Sequence, residues 1–143
     1  MEEKKIESKL AFKNYEINNI EFKNNLSFKD EVVEIDFDID SEVSFISDNE
    51  FILGLSIEIF RDMEKNNYPF NFKVEIMGMF EINTENISEK QMLAEQNSVA
   101  ILFPYARALI STYTSISNVQ PIILPPINVV SYLKIKKEQE KNI

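Results

Sequence analysis

The chain has 143 residues, 44% of them hydrophobic and 27% charged, the balance of one globular domain able to bury roughly 70% of its unfolded surface. It holds no cysteine, no histidine and only 2 glycines, which excludes disulfides, Cys or His zinc sites, a Ser-His-Asp triad and the glycine-rich loops that cradle nucleotides. Lys+Arg 15 against Asp+Glu 24 leaves a net charge of -9, the wrong sign for gripping nucleic acid.

Four strands are predicted first. Leu10 and Phe12, then Tyr15 and Ile17, then Ile20 and Phe22 alternate with two changes of parity, as a bulged edge strand would. From Glu31 a second strand is predicted, with Val33, Ile35, Phe37, Ile39, Val43 and Phe45 on one face and Glu34, Asp36, Asp38, Asp40 and Glu42 on the other, since strict period two marks a half-buried strand. After a turn at Asp48-Asn49-Glu50, Phe51, Leu53, Leu55, Ile57 and Ile59 form a third, and Phe70, Phe72, Val74 and Ile76 open a fourth that runs to about Ile82. Short turns are expected between all four.

At Ser88-Glu-Lys-Gln91 the pattern changes to a capping box, and a helix over 88–117 follows, with Pro104 expected to kink it. Leu102, Phe103, Leu109 and their neighbours make an apolar surface too wide for one sheet. A loop with Pro121, Pro125 and Pro126 leads to Asn128, which is placed to cap a short helix over 128–138, and the charged tail from Lys134 is expected to fray. The prediction is a single α+β unit over 1–143, with strands over 9–82 and then two helices. The charged start, Met1-Glu-Glu-Lys-Lys-Ile-Glu, has no signal-peptide core, and no apolar run approaches the roughly 18 residues of a membrane span. A cytoplasmic protein without membrane insertion is expected.

None of these residues makes a persuasive catalytic or metal site. The carboxylate column of strand two reads more simply as a solvated face than as a cation cage, which needs ligands converging from several elements. Neither an enzyme nor a cofactor is expected. Arg107 beside the helix kink reads as a structural group that satisfies freed carbonyls or the proline loop.

The string Ala100-Ile-Leu-Phe-Pro-Tyr-Ala-Arg107, with Pro121-Ile-Ile-Leu-Pro-Pro-Ile-Asn128 beyond it, resembles the signature of the SecB protein-export chaperones. Pro104, Arg107, Pro125 and Asn128 are its structural positions. The resemblance implies a homotetramer, a dimer of dimers with helices between sheets, in which Phe72, Val74, Ile76, Leu102, Phe103 and Leu109 serve helix or subunit packing. It also implies an ATP-independent holdase whose clients are non-native polypeptides. Their groove would fall on Ile35, Phe37, Phe70 and Tyr105, closed by Val130 and Leu133. The acids that face the SecA motor in the family fall here on Asn19, Lys23 and Lys73, and an apolar contact position of the family becomes Asn71, which weakens docking to SecA. A dedicated client such as an antitoxin is therefore favoured over general export. The competing expectation is an interaction module that binds a folded partner through the acidic face of strand two.

Overall fold

The computed structural model describes residues 9–124 and 127–141. The alternating segments form β1 (Leu10–Asn24), β2 (Phe37–Phe45), β3 (Glu50–Ile59) and β4 (Phe70–Ile82), in one antiparallel sheet of spatial order β1-β4-β3-β2. Period two decides its two faces. Phe51, Leu53, Leu55, Ile57 and Ile59 of β3 and Phe70, Phe72, Val74, Ile76, Phe80 and Ile82 of β4 are at most 1% exposed. Each such side chain contributes about 1.5–3 kcal/mol by leaving water. The opposite face carries Ser56, Glu58, Lys73 and Glu75. The parity changes in β1 are real interruptions, with register shifts between Phe12 and Asn14 and between Ile17 and Asn19.

One connection differs from the expected short turn. β1 and β2 lie at opposite edges of the sheet, so residues 25–36 must cross the ends of β4 and β3. β2 therefore begins at Phe37 and not at Glu31; residues 31–35 lie outside the ladder, and the first contact with β3 is the Phe60 N–H donating to the Asp36 carbonyl at 2.9 Å. Polar side chains fix the crossing at both ends. Asn25 donates to the carbonyl of Tyr68 at 2.9 Å, and Asn67, held at φ 52°, exchanges hydrogen bonds of 2.9 and 3.1 Å with the Lys29 backbone. Asp36 accepts from the Arg61 backbone N–H at 3.0 Å and from its guanidinium at 2.9 and 3.2 Å.

The first helix starts two residues earlier than the capping box suggested. Asn86 is the cap, accepting from the Glu89 N–H at 3.0 Å, and α1 spans Ile87–Met92. A π-helical turn, Leu93–Asn97, joins it to α2, Ser98–Ile116. This irregularity lies before Pro104, which sits inside α2. The run Ile87–Ile116 is long and apolar enough, by length and composition, to cross a bilayer, but Val99, Leu102, Ala106 and Ile110 are fully buried in the core. Gly78 permits the closest approach, because a Cβ there would stand 2.8 Å from the Phe80 ring and 3.1 Å from Leu102.

Three side chains of α2 hold the loop that follows. Buried Thr114 accepts from the Ile122 N–H at 2.9 Å while donating to Ile110 at 2.8 Å. Ser111 donates to the Ile122 carbonyl at 3.1 Å, and Arg107 to the Leu124 carbonyl at 2.9 Å. Pro125 lies outside the described residues. Asn128 accepts from the Ser131 N–H at 3.0 Å, capping α3, Val129–Lys141. That helix runs past the expected end at 138, and the residues expected to fray are helical through Lys141.

Candidate functional site

The crossing segment, the start of β4 and the loop after α2 enclose a cavity of about 860 Å³. Its geometry follows from the sheet order, since a segment that spans two strands leaves space beneath it. Two of the expected groove residues line it, Ile35 and Phe70. Phe70 is its floor, 1% exposed, with ring centroids 5.2 Å from Phe22 and 5.1 Å from Phe60. The wall is more open: Leu26 is 92%, Val32 102% and Ile35 37% exposed. Leu26, Phe28 and Val32 also line the cavity, beyond the residues that the sequence marks: the first two fall where a turn is expected, and Val32 has the opposite parity to Val33 and Ile35.

The remaining groove residues stand elsewhere. Phe37, Val130 and Leu133 lie where α3 meets the edge of β2, with the Phe37 ring 5.8 Å from Tyr132 and Leu133 buried. Tyr105 belongs to the other edge of the sheet, its ring 5.4 Å from Phe12 and 4.9 Å from Tyr15 of β1. Within one protomer the six residues therefore form three places. Of the packing residues, Phe72, Val74, Ile76, Leu102 and Phe103 lie in the chain's own core, while Leu109 is half-buried against it. What α2 leaves uncovered includes Tyr105 at 41% and Ile116 at 75% exposure.

The acidic column of β2 is largely engaged inside the chain. Lys136 of α3, with its side chain 21% exposed, reaches Asp38 and Asp40 at 2.8 Å each. Arg61 lies 3.7 Å from Asp38 besides gripping Asp36. Arg61's hydrogen bonds hold the Asp36 carboxyl below its usual range, against the opposing effect of burial. Burial opposes the Lys136 ammonium, yet the hydrogen bonds to Asp38 and Asp40 outweigh it and keep its pKa raised. Burial raises that of the Tyr132 phenol. On the open sheet face, Lys23 pairs in register with Asn71, Glu21 with Lys73 and Asn19 with Glu75. Asn71 donates to Glu58 at 2.9 Å and Lys73 stands 3.8 Å from it, making a patch of mixed charge.

A sheet of order β1-β4-β3-β2, a long helix laid on one face and a shorter helix at the outer strand define the SecB-like α+β fold. The family described as Preprotein translocase subunit SecB matches residues 6–140, and the chain belongs to that family, which is not a family of enzymes. An uncharacterized protein of Methanocaldococcus jannaschii, MJ0357, is 41% identical over 137 residues, covering 93% of this chain and 88% of its own. The protein-export protein SecB of Rickettsia typhi is 25% identical over 119 residues, 82% of this chain and 78% of its own. Among solved structures, the Mycobacterium tuberculosis SecB-like chaperone Rv1957, in complex with a ChAD peptide from the Rv1956 HigA1 antitoxin, shares the fold. Its TM-score is 0.64 at 12% identity, over 83% of this chain and 88% of that one.

Proposed function

We propose that the protein is an ATP-independent holdase that binds non-native polypeptides along its apolar loop-walled groove. The observation that carries this reading is the cavity beneath residues 25–36. Its wall presents Leu26, Val32 and Ile35 to solvent on a segment fixed at Asn25, Asn67 and Asp36. Apolar side chains held open on an anchored loop suit a ligand of variable sequence, because their attraction is non-directional and scales with area. Several such sites in a homotetramer would add shallow contacts into useful avidity; the uncovered Tyr105 and Ile116 on α2 offer the surface for that assembly. A cytoplasmic location fits this role.

The mixed charges around Asn19, Lys23, Asn71 and Lys73 support a dedicated client, with the antitoxin peptide held by the mycobacterial fold relative as precedent, over delivery to SecA. A folded partner on the acidic face of β2 has less support, since Asp38 and Asp40 already face Lys136, and Asp36, just before the strand, faces Arg61. The test is light scattering of a denatured protein diluted into buffer without nucleotide. Wild type should suppress aggregation near equal stoichiometry, and Val32→Asp and Ile35→Asp, exposed changes that leave the fold intact, should lose most of that effect. Equal suppression by folded wild type and both variants would refute the groove.

A further inference from the structure

Phe60 follows the last residue of β3, and strand alternation would send its side chain to the open face, since Ile57 and Ile59 are buried in the core. It does not go there. Its backbone enters the left-handed region at φ 57°, a conformation in which Cβ crowds the backbone and which a bulky aromatic residue rarely adopts. This turn brings the ring to the groove side of the sheet. Phe60 is 2% exposed and lines the cavity beneath the crossing segment, with its ring edge-on to Phe70 at 5.1 Å and 4.8 Å from Tyr68.

Such a backbone conformation persists only where its surroundings hold it. From the wall side, the Asp36 carbonyl accepts from the Phe60 N–H at 2.9 Å, beside the ion pair of Asp36 with Arg61. From the open face comes Asn71 of β4. Its side-chain nitrogen donates to the Ile59 and Phe60 carbonyls at 3.2 and 3.3 Å, and to the Glu58 carboxylate at 2.9 Å. Those two carbonyls belong to the peptide units that meet at the Phe60 Cα, so one amide orients both planes and thereby fixes φ and ψ between them. A donor is needed at this position, which neither an aliphatic side chain nor a carboxylate supplies.

We propose that Asn71 is a positioning residue for the client groove: from the open face it fixes Phe60 in the left-handed conformation and so presets the ring that, with Phe70, floors the cavity. The client rests on the holdase reading above; the hold of Asn71 on Phe60 does not. A floor set in advance spares a bound segment the cost of ordering it. Lys73, the next open-face residue of β4, reaches Glu58 at 3.8 Å and serves as the neighbour against which Asn71 is compared.

The test uses the full chain, wild type beside Asn71→Leu, which keeps the branched shape and removes the donor, Phe60→Leu and Lys73→Ala. Each is examined by NMR and by binding of reduced, carboxymethylated α-lactalbumin, a permanently unfolded probe. In wild type, Phe60 should show the strong amide-to-Hα NOE of a positive φ, NOEs from its ring to Phe70, and ring shifts when the probe is added. Asn71→Leu should keep the Val74 amide protected, lose those NOEs and bind the probe about tenfold more weakly, as expected if about a tenth of the molecules retain the preset floor. Should Val74 lose protection, Asn71→Ala is read in its place. Phe60→Leu, which leaves Asn71 intact, should also bind more weakly, and Lys73→Ala should match wild type in both readings.

A wild type without the positive-φ signature at Phe60, or an Asn71→Leu that keeps both the NOEs and the affinity, overturns the proposal. Lost NOEs with unchanged affinity reduce Asn71 to a structural residue and overturn its role in the groove. Weakening by Lys73→Ala equal to that by Asn71→Leu, with the Phe60 NOEs intact, would transfer the effect to the charge of the open face and overturn it as well. A wild type that ignores the probe, while Asn71→Leu loses the NOEs as expected, would refute the holdase reading and leave the hold on Phe60 standing.

Discussion

Gly78→Ala tests whether α2 is seated on β4 as closely as the packing requires. The added Cβ would lie 2.8 Å from Cε2 of Phe80 and 3.1 and 3.2 Å from the two Leu102 methyls, all inside the usual contact distance. Neither neighbour yields easily. The Phe80 ring is stacked between Phe51 and Phe12, with centroids 5.2 Å away on each side, and Leu102 is fully buried. Overpacking of this kind costs about 1–3 kcal/mol, offset by the 0.4–1 kcal/mol, roughly, that alanine gains by restricting the unfolded chain. A net loss of about 1–2 kcal/mol should lower Tm by about 3–8 °C in a chain of this size. Gly54→Ala is the control: its Cβ would meet only the Glu42 carbonyl, at an ordinary 3.7 Å, so stability should stay level or rise slightly. Thermal unfolding at equal chain concentration reads both, since any assembly makes Tm concentration-dependent. Equal Tm values for wild type and Gly78→Ala would refute the close seating of α2.

Thr114→Val keeps the shape of a fully buried side chain but orphans the Ile122 N–H. It should cost about 1–3 kcal/mol in urea unfolding and speed amide exchange in the loop after α2; a loss under about 0.5 kcal/mol would mean that the loop is held otherwise. Asp36→Asn tests the Arg61 clamp through pH. Arg61 lowers the folded carboxyl's pKa, so its stabilisation is full above the ordinary carboxylate value near 4 and is lost as pH falls through the lowered one. Wild type should exceed Asp36→Asn by about 1 kcal/mol at pH 7, and the gap should close as pH drops below about 4; a gap that persists to about pH 2 contradicts the clamp. Asn67→Gly and Asn67→Ala separate two roles. Both lose the bonds to Lys29, but only alanine also pays for positive φ, so it should be less stable by about a further 1 kcal/mol; equal losses in denaturant would show that φ does not matter there.

Strand faces were legible wherever period two was tied to burial, as in β3 and β4, and the parity breaks of β1 located both bulges. The alternation of residues 33–45 does not distinguish the end of the crossing segment from β2, because a loop can carry the same period as a strand and only the spatial order of strands tells them apart. The same ambiguity reaches the site: Ile35 has the parity of β2 yet belongs to a loop wall, and Leu26 and Val32, the most exposed apolar side chains of that wall, carry no periodic signal. Helix capping was nearly legible: Asn86 and Ser88 both suit a cap, and the chain uses the earlier one. Asn128 and Arg107 act locally on the backbone and were found. The Lys136, Asp38 and Asp40 cluster joins residues about a hundred positions apart, which spacing along the chain cannot show, so a helix anchored by its lysine was expected to fray.

The most direct test of the holdase account offers one client sequence in two states, a stably folded protein and a point variant of it that cannot fold, and measures binding of each without nucleotide across a salt series. The account predicts binding of the unfolded form alone, with affinity that changes little as salt rises, because apolar burial carries it. Binding of the folded form, weakening steeply with salt, would contradict the account and assign the function to a charged face of the sheet.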